Sequence, residues 1–201
     1  MPKIVPNYRD EVRTKIIQTA WEVLLEKGAL ESTMDDFAKA LNCSKGALYN
    51  YFRNKEELLE QTICSKKIEF EEQLFARFSE GDFLENAGTY FDSEILSSAG
   101  TFPALMEIYL EGSRNEKIRD AVHQKYNNIV ESIAKLLGEL SALNRIVLRT
   151  DVSTAAKFIY SVRVGVLFSL FAGLDRKDAR RIWIEGHRSI IAEPPAQHEE
   201  L

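Results

Sequence analysis

The sequence predicts an all-α protein, and two observations support this fold class. Apolar residues recur at the spacing of one helix face, for example at Val12, Ile16 and Ala20 in the first segment. No segment after Gly81 shows the strict alternation of apolar and polar residues that is typical of a half-buried strand. Breaks between the periodic segments fall at turn-forming residues such as Gly81 and Gly112. We therefore expect helices joined by short turns.

Composition and charge restrict the kinds of partner that the chain can have. Its 201 residues are 45% hydrophobic and 28% charged, which is typical of a globular protein with one or two domains. The formal net charge of −5 means that contact with an anionic partner must be confined to a local basic surface. Cys43 and Cys64 lie far apart and form no CxxC pair, so neither a disulfide framework nor a zinc site is indicated.

The sequence gives no sign of export or of a membrane span. Residues 1–8 contain two prolines and no apolar run, which argues against a signal peptide. The longest uncharged apolar stretch, residues 164–174, is well short of the roughly 18 residues that a membrane span needs. We expect a soluble, cytoplasmic protein that does not interact with a membrane.

A pair of short helices joined by a tight turn is predicted early in the chain. Apolar spacing predicts a first helix over Met34–Ala40, and Ser44 can cap a second helix over residues 45–51. Asn42 lies between them and tolerates the positive φ that such turns use. A preceding helix over residues 10–27 should pack across this pair, which gives helix-turn-helix geometry.

The predicted second helix has side chains that suit a DNA major groove. It opens with Ser44, Lys45, Gly46 and Ala47, which are small or positively charged and allow close approach to base edges. Four cations and no acid occur between residues 37 and 55. A helical hairpin with a solvated basic face would carry the same charges, so spacing alone leaves both interpretations open. The predicted DNA-binding residues are Thr33, Ser44, Lys45, Gly46, Ala47, Tyr49, Asn50, Tyr51 and Lys55.

Three runs of sequence are more specific: TMDDFA at residues 33–38, SKGALYNYF at 44–52 and NKEELL at 54–59. With them, residues 13–63 resemble the DNA-binding domain of the tetracycline-repressor (TetR) family. The chain departs from the family pattern at Asn42, where glycine is usual, at Cys43, where valine is usual, and at Ala47, where threonine is frequent. The resemblance implies a three-helix DNA-binding domain over residues 1–54. It also implies a larger helical ligand-binding and dimerisation domain over residues 55–201.

The next predicted helix runs without Gly or Pro from its cap, Asn54, to about Ser79. Glu57 is predicted to reach back to this cap, as in a capping box. At about 1.5 Å per residue the helix would span roughly 30 Å or more and act as a lever between the two domains. Further helices are predicted over residues 83–98, 102–113, 116–140, 152–174 and 176–191.

The last two predicted helices have the features of a homodimer interface. Residues 152–174 are apolar almost all round, so this helix should be covered on every side. A stripe of small residues would allow a second chain to approach closely and form a helical bundle. The alternative is that both are central helices of a monomer. The predicted interface residues are Ser161, Gly165, Ser169, Ala172, Ile182, Gly186 and Ile190.

Aromatic and large apolar residues are concentrated in the middle of the chain, with a few polar residues among them. A mostly apolar cavity with a few polar groups is typical of a ligand site, although the aromatic residues could equally form ordinary core. Arg163 could bind a ligand or pair with an acid across the dimer. The predicted ligand-binding residues are Phe75, Phe78, Tyr90, Phe102, Met106, Tyr109, His123, Asn127 and Arg163.

The sequence carries no pattern that indicates an enzyme. His123, His187 and His198 lack metal-ligand spacing, and no nucleophile motif or phosphate-binding loop is present, so we expect no metal and no cofactor. The predicted function is that of a homodimeric repressor that binds a palindromic operator in double-stranded DNA and is released by a small, largely apolar ligand. The alternative is a helical small-molecule-binding or scaffold protein that does not regulate transcription.

Overall fold

The computed structural model describes residues 6–65 and 67–192, and these residues confirm the all-α fold class. The helices are α1 Pro6–Lys27, α2 Met34–Ala40, α3 Lys45–Tyr49, α4 Lys55–Cys64, α5 Lys67–Phe78, α6 Phe83–Tyr90, α7 Leu96–Ala99, α8 Phe102–Gly112, α9 Glu116–Ala142, α10 Val152–Phe171 and α11 Arg176–Ile190. A π-helical turn, Phe91–Ile95, joins α6 to α7. Two short strands that we did not predict, β1 Val147–Leu148 and β2 Ile191–Ala192, pair antiparallel with Leu148 opposite Ile191.

The chain forms two compact units. The first unit contains residues 6–65 together with 103–126, and the second contains residues 67–102 together with 127–192. Helix α4, which we predicted to open the second domain, lies in the first unit because Leu58, Leu59 and Ile63 are buried in its core. The predicted division after residue 54 therefore differs from the division of the chain into compact units.

The core of the first unit fixes α3 and α4 against α1. Large, fully buried side chains in this core are Leu24 from α1, Phe37 from α2, Leu48 from α3, Phe52 from the turn after α3, and Leu58 from α4. Burial of each such side chain stabilises the fold by about 1.5–3 kcal/mol. Segments far along the chain complete this core, because α8 and α9 contribute Ile108, Ile118 and Ala121.

Helix α1 begins earlier than predicted, at Pro6 instead of Asp10. Proline suits the first helical position because the N–H it lacks would have no partner inside the helix. Asn42, with φ 51°, forms the turn between α2 and α3 as expected.

The predicted continuous helix over residues 55–79 is wrong, since α4 ends at Cys64 and α5 begins at Lys67. Side chains compete for backbone carbonyls where α4 ends. The Thr62 hydroxyl donates to the Leu58 carbonyl at 2.7 Å, and the Ser65 hydroxyl donates to the Thr62 carbonyl at 2.9 Å. Residues 55–78 therefore form two helices instead of the one predicted.

The core of the second unit lies between α6, α10 and α11. The Trp183 indole N–H donates to the Ala87 carbonyl at 2.8 Å, which ties α11 to α6. Gly186 allows α11 to approach α10, since a Cβ there would lie 3.1 Å from Val162. The Arg145 guanidinium donates to the carbonyls of Phe78, Ser79 and Gly81, and so satisfies the C-terminal end of α5.

Candidate DNA interface

Helix α3 is held by one buried side chain and presents its other side to solvent. The Ser44 hydroxyl accepts a hydrogen bond from the Ala47 N–H at 3.2 Å, which confirms Ser44 as the N-cap. Leu48 is buried, whereas Lys45, Gly46 and Tyr49 are exposed. The helix ends at Tyr49 and is two residues shorter than predicted. The exposed side of α3 therefore carries the Lys45 ammonium group, the small Gly46 and the Tyr49 ring.

Lys45 is not a free cation. Its Nζ lies 2.8 Å from the Asp35 Oδ2 at the start of α2, and the hydrogen bond to Asp35 raises the pKa of Lys45. Both side chains are exposed, and water screens exposed ion pairs so that they contribute little to stability. Lys45 can therefore exchange the Asp35 carboxylate for another anion at little cost.

Two arginines of α1 bind the backbone that follows α3. The Arg9 guanidinium donates to the Asn50 carbonyl at 3.3 Å and lies 6.0 Å from the centre of the Tyr51 ring. Arg13 donates to the Tyr51 carbonyl at 2.9 Å and stacks over the Phe52 ring at 4.6 Å. Asn50 is exposed and Tyr51 is half-buried. Arg9 and Arg13 therefore hold the segment that follows α3 against α1.

Lys55 also contacts its own chain. The half-buried side chain donates to the Leu30 carbonyl at 3.2 Å, and partial burial lowers the pKa of its ammonium group. This contact joins the start of α4 to the loop before α2. Lys55 therefore supports the helix-turn-helix from inside the first unit, and its ammonium group is less available to DNA than the sequence suggested.

The Thr33 hydroxyl takes part in the capping box of α2. It accepts from the Asp36 N–H at 3.3 Å, and the Asp36 carboxylate accepts from the Thr33 N–H at 2.9 Å. The Asp36 carboxylate accepts hydrogen bonds from the side chains of Lys27 and Thr33, and these bonds lower the pKa of Asp36 to about 2, with Lys27 having the larger effect. Thr33 is exposed at the N-terminus of α2, where the free N–H groups suit a phosphate.

Asn54 caps α4 as predicted, because its side-chain oxygen accepts from the Glu57 N–H at 2.9 Å. The Glu57 carboxylate does not return to Asn54. It accepts from the Arg53 N–H at 2.8 Å, and this hydrogen bond lowers the pKa of Glu57. The Glu57 carboxylate therefore binds the backbone N–H of Arg53, one residue before the expected partner Asn54, and stabilises the turn between α3 and α4.

An apolar face of α10 is open to solvent in the single chain. The exposed fractions are 37% for Phe158, 56% for Phe168 and 62% for Phe171, and Ile182 of α11 is 48% exposed. Of the predicted interface residues, Ser161, Gly165 and Ala172 are also exposed, while Ser169 and Ile190 are half-buried. Gly186 differs, because its small size is explained by Val162 of the same chain. By length and composition alone α10 could cross a membrane, but apolar helices of soluble proteins share that property.

The predicted ligand-binding residues divide between the two units. Met106, Tyr109 and His123 belong to the first unit, and the other six belong to the second. Phe78 and Tyr90 are buried against each other, with ring centres 6.2 Å apart, and Phe102 packs on Phe168 and Phe171.

The remaining ligand-binding candidates are less enclosed. The half-buried Phe75 ring lies 5.1 Å from the Lys135 Nζ, and Asn127 and His123 are exposed. Of the other histidines, His187 is buried and His198 lies outside the described residues. Across residues 6–65 and 67–192, no group of three or more His, Cys, Asp or Glu side chains is placed to hold a metal ion.

Known proteins resemble this chain both in sequence and in fold. The family model for bacterial regulatory proteins of the tetR family matches residues 16–62. The HTH-type transcriptional regulator UidR of Escherichia coli (strain K12) is 27% identical over 187 residues, which cover 89% of this chain and 90% of that protein.

Solved structures share the architecture of the whole chain. The reduced form of E. coli NemR has a TM-score of 0.75 at 17% identity and covers 91% of this chain and 98% of its own. FadR from Bacillus subtilis, in complex with stearoyl-CoA, has a TM-score of 0.64 at 20% identity, with 86% of this chain and 98% of its own covered. At these identities, structural likeness shows the shared fold alone.

The capped, exposed α3 and the supporting α1, α2 and α4 define a helix-turn-helix protein. The family match over residues 16–62 and the regulator relatives show that this chain is similar to DNA-binding transcriptional regulators of the tetR family.

Proposed function

We propose that the protein is a homodimeric repressor that binds a palindromic operator through α3 and is released from it by a small, largely apolar molecule. The observation that carries this proposal is the exposed, positively charged side of α3 in a chain whose net charge is −5. Phosphate attraction is concentrated on a surface of this kind when the rest of the molecule is acidic.

The proposed DNA contacts follow from the exposure of each side chain. Lys45, Gly46 and Tyr49 lie on the open side of α3 and are suited to base edges in the major groove. Ser44, Asn50 and Thr33 are exposed at helix ends and are suited to phosphates. Ala47 and Tyr51 are half-buried and would form the edge of the surface that contacts DNA. Lys55 would hold the start of α4 against the loop before α2 through the Leu30 carbonyl.

Dimerisation is proposed through the exposed apolar face of α10 and Ile182 of α11. A soluble protein rarely exposes a continuous apolar surface with three phenylalanines, so a second copy of the chain is the expected cover. The twofold symmetry of such a dimer would place the two α3 helices against successive half-sites, which lie about 34–36 Å apart in DNA. A palindromic operator follows from this symmetry.

Ligand release is supported by the aromatic composition of the second unit and by a protein of the same fold. FadR binds stearoyl-CoA, which includes a long apolar chain. In this chain, Phe78, Tyr90 and Phe102 would have to separate partly to admit a ligand, because they are buried. We propose that the second unit has a binding-competent conformation that the ligand stabilises.

The proposal is tested by selecting fragments of genomic DNA that bind the purified protein, followed by gel-shift titrations at several salt concentrations. A specific operator should bind at least 10³-fold more tightly than random DNA, and its affinity should fall steeply with salt. A transcriptional reporter behind that operator should be repressed by the protein. Equal affinity for all sequences would instead support the alternative of a helical ligand-binding or scaffold protein.

A further inference from the structure

We propose that the ligand of the second unit carries a carboxylate and that Arg163 binds it. This inference rests on the proposed function, in which the second unit binds a small molecule. It adds the chemical class of the ligand, since it requires an acidic group on an otherwise apolar or aromatic body.

The first observation is an arginine without an ionic partner. Arg163 lies between Val162 and Val164 in the apolar helix α10, and its Nε is buried without a hydrogen-bond partner in the described chain. Its Nη2 lies 3.5 Å from the Ser98 hydroxyl, at the outer limit of a hydrogen bond. None of the ion pairs formed by residues 6–65 and 67–192 includes Arg163.

The second observation is the position of the guanidinium group within the unit. Arg163 reaches Ser98 in α7 and also interacts with Tyr90, so it is directed toward α6 and α7. The exposed residues of the proposed dimer face, such as Gly165 and Phe168, lie on another side of α10. The nearby acid Glu94 is paired with Arg77 at 3.7 Å. Within residues 6–65 and 67–192, no acid forms an ion pair with Arg163.

The chemistry of arginine indicates which ligand group would pair with Arg163. A guanidinium group stays charged in proteins, and an N–H donor that is buried without a hydrogen-bond partner is unfavourable. The Nε and Nη2 donors form one edge with two parallel N–H bonds, which matches the two oxygens of a carboxylate. One of these donors is unpaired and the other is weakly paired. A phosphate dianion fits less well, because a single guanidinium would leave its second charge unmatched.

The surroundings define the rest of the ligand. The Tyr90 ring stacks near Trp183 at 6.1 Å and near Phe78 at 6.2 Å, so the side chains next to the guanidinium are aromatic. The hydroxyls of Tyr90 and Ser98 could donate to the same carboxylate. An aryl or alkyl carboxylic acid satisfies both the charged and the apolar part of this environment.

The test uses the full-length protein with phenylacetate, 1-naphthylacetate and decanoate, each compared with its neutral amide. Binding is measured by isothermal titration and by the shift in Tm. At least one acid should bind, and its amide should bind about 10- to 100-fold more weakly, as expected when a charge-assisted hydrogen bond is lost. Arg163→Met should reduce the binding affinity for the acid by the same factor. Arg180→Met, which removes an exposed arginine paired with Asp92, should leave acid binding unchanged.

The free protein gives a second readout that a structural arginine would not produce. Since Arg163 lacks an ionic partner, Arg163→Met should raise the Tm of the ligand-free protein, whereas loss of a structural ion pair would lower it. Equal binding of acid and amide, undiminished acid binding by Arg163→Met, or no binding of any acid would each overturn the proposal. Operator binding by the wild-type protein without acid is measured separately. Its absence would refute the proposed function and leave the comparison of acid with amide intact.

Discussion

Lys45, the proposed recognition residue, is paired with an acid of its own chain. Its ammonium group is exposed and is oriented by Asp35 across the turn of the helix-turn-helix. Since this pair is weak, DNA can displace Asp35, and the cost is mainly the repulsion between the Asp35 carboxylate and a nearby phosphate. Lys45 is therefore positioned by a residue that opposes DNA binding.

Lys45→Ala should weaken operator binding by about 1–3 kcal/mol, because it removes a donor that suits a guanine edge. Tyr49→Ala, on the same exposed side of α3, should have an effect of similar size. Asp35→Asn should act in the opposite direction and strengthen binding slightly at low salt. Gel shifts against the selected operator measure all three variants. Arg149→Ala, an exposed cation of the second unit, is the control, and wild-type affinity in both α3 variants would show that α3 is not the recognition helix.

His187 links the stability of the second unit to pH. The ring is buried between Trp183, at 4.2 Å between ring centres, and Phe83, at 5.9 Å, and its Nδ1 lies 2.8 Å from the Trp183 carbonyl. Burial lowers the pKa of His187 from 6.5 to about 4 in the folded protein. Between pH 6.5 and about pH 4, His187 is therefore protonated in the unfolded chain and neutral in the folded chain.

The stability that His187 contributes should be complete above pH 6.5 and should be lost as the pH falls toward about 4. The loss should amount to roughly 3 kcal/mol over that window. The free energy of unfolding in urea, measured at pH 7.5 and pH 5, should differ less in His187→Gln than in the wild type. His123→Gln is the control because His123 is exposed. An unchanged pH dependence in His187→Gln would contradict the assignment.

The residues that bind α1 to α3 show where sequence reasoning stops. The caps Ser44 and Asn54 were predictable because their hydrogen bonds join residues three positions apart. The contacts of Arg9 and Arg13 join residues about 40 positions apart, and no local pattern distinguishes such an arginine from a phosphate-binding one. The contact of Lys55 with the Leu30 carbonyl, 25 positions away, was not predictable for the same reason.

Among the helices, α2 was predicted with its exact bounds, whereas α4 was extended too far. The amphipathic pattern and the caps define where α2 and α4 begin. The end of α4 at Cys64 depends on the hydroxyls of Thr62 and Ser65, which are also tolerated inside helices. Glycine and proline, the usual signals of a helix end, are absent from this stretch.

Helix α10 offers a direct test of the proposed dimer. Gly165→Arg places a long, charged side chain at a position where a Cβ would have no neighbouring atom within 4 Å, so the single chain can accommodate it. In a close helix crossing the same side chain would be buried without a partner and prevent association. The variant should sediment as a folded monomer and lose specific operator binding.

Gly138→Arg is the matched control, because Gly138 of α9 is equally open and lies outside the proposed face. Both substitutions replace a glycine inside a helix with arginine. This replacement by itself stabilises the helix by up to about 1 kcal/mol. Gly138→Arg should therefore remain dimeric. A Gly165→Arg variant that sediments as a dimer, or a wild-type protein that sediments as a monomer, would exclude this interface.

In the whole molecule, two helices contribute residues to both compact units. Residues 103–126, which include most of α8 and the first part of α9, belong to the first unit, while Phe102 and residues 127–142 belong to the second. Ile108 is buried in the same core as α1 and α4. Glu107 lies directly against Gly28, where a Cβ would clash with its carboxylate. Because α8 and α9 contribute residues to both units, we propose that they transmit the effect of a ligand on α3.

A ligand can weaken DNA binding only if it prefers a conformation that DNA disfavours, and the coupling must then be reciprocal. Operator DNA should therefore reduce the affinity for the ligand by the same factor, typically equivalent to about 1–3 kcal/mol. A ligand found by thermal-shift screening would be titrated into the free protein and into the operator complex. Ile108→Val, which removes one buried methylene from α8, should reduce the coupling, whereas Leu110→Ala, at a position 61% exposed on the same helix, should not. Equal ligand affinity in the free and the DNA-bound protein would exclude coupling between the two sites, however tightly the ligand binds.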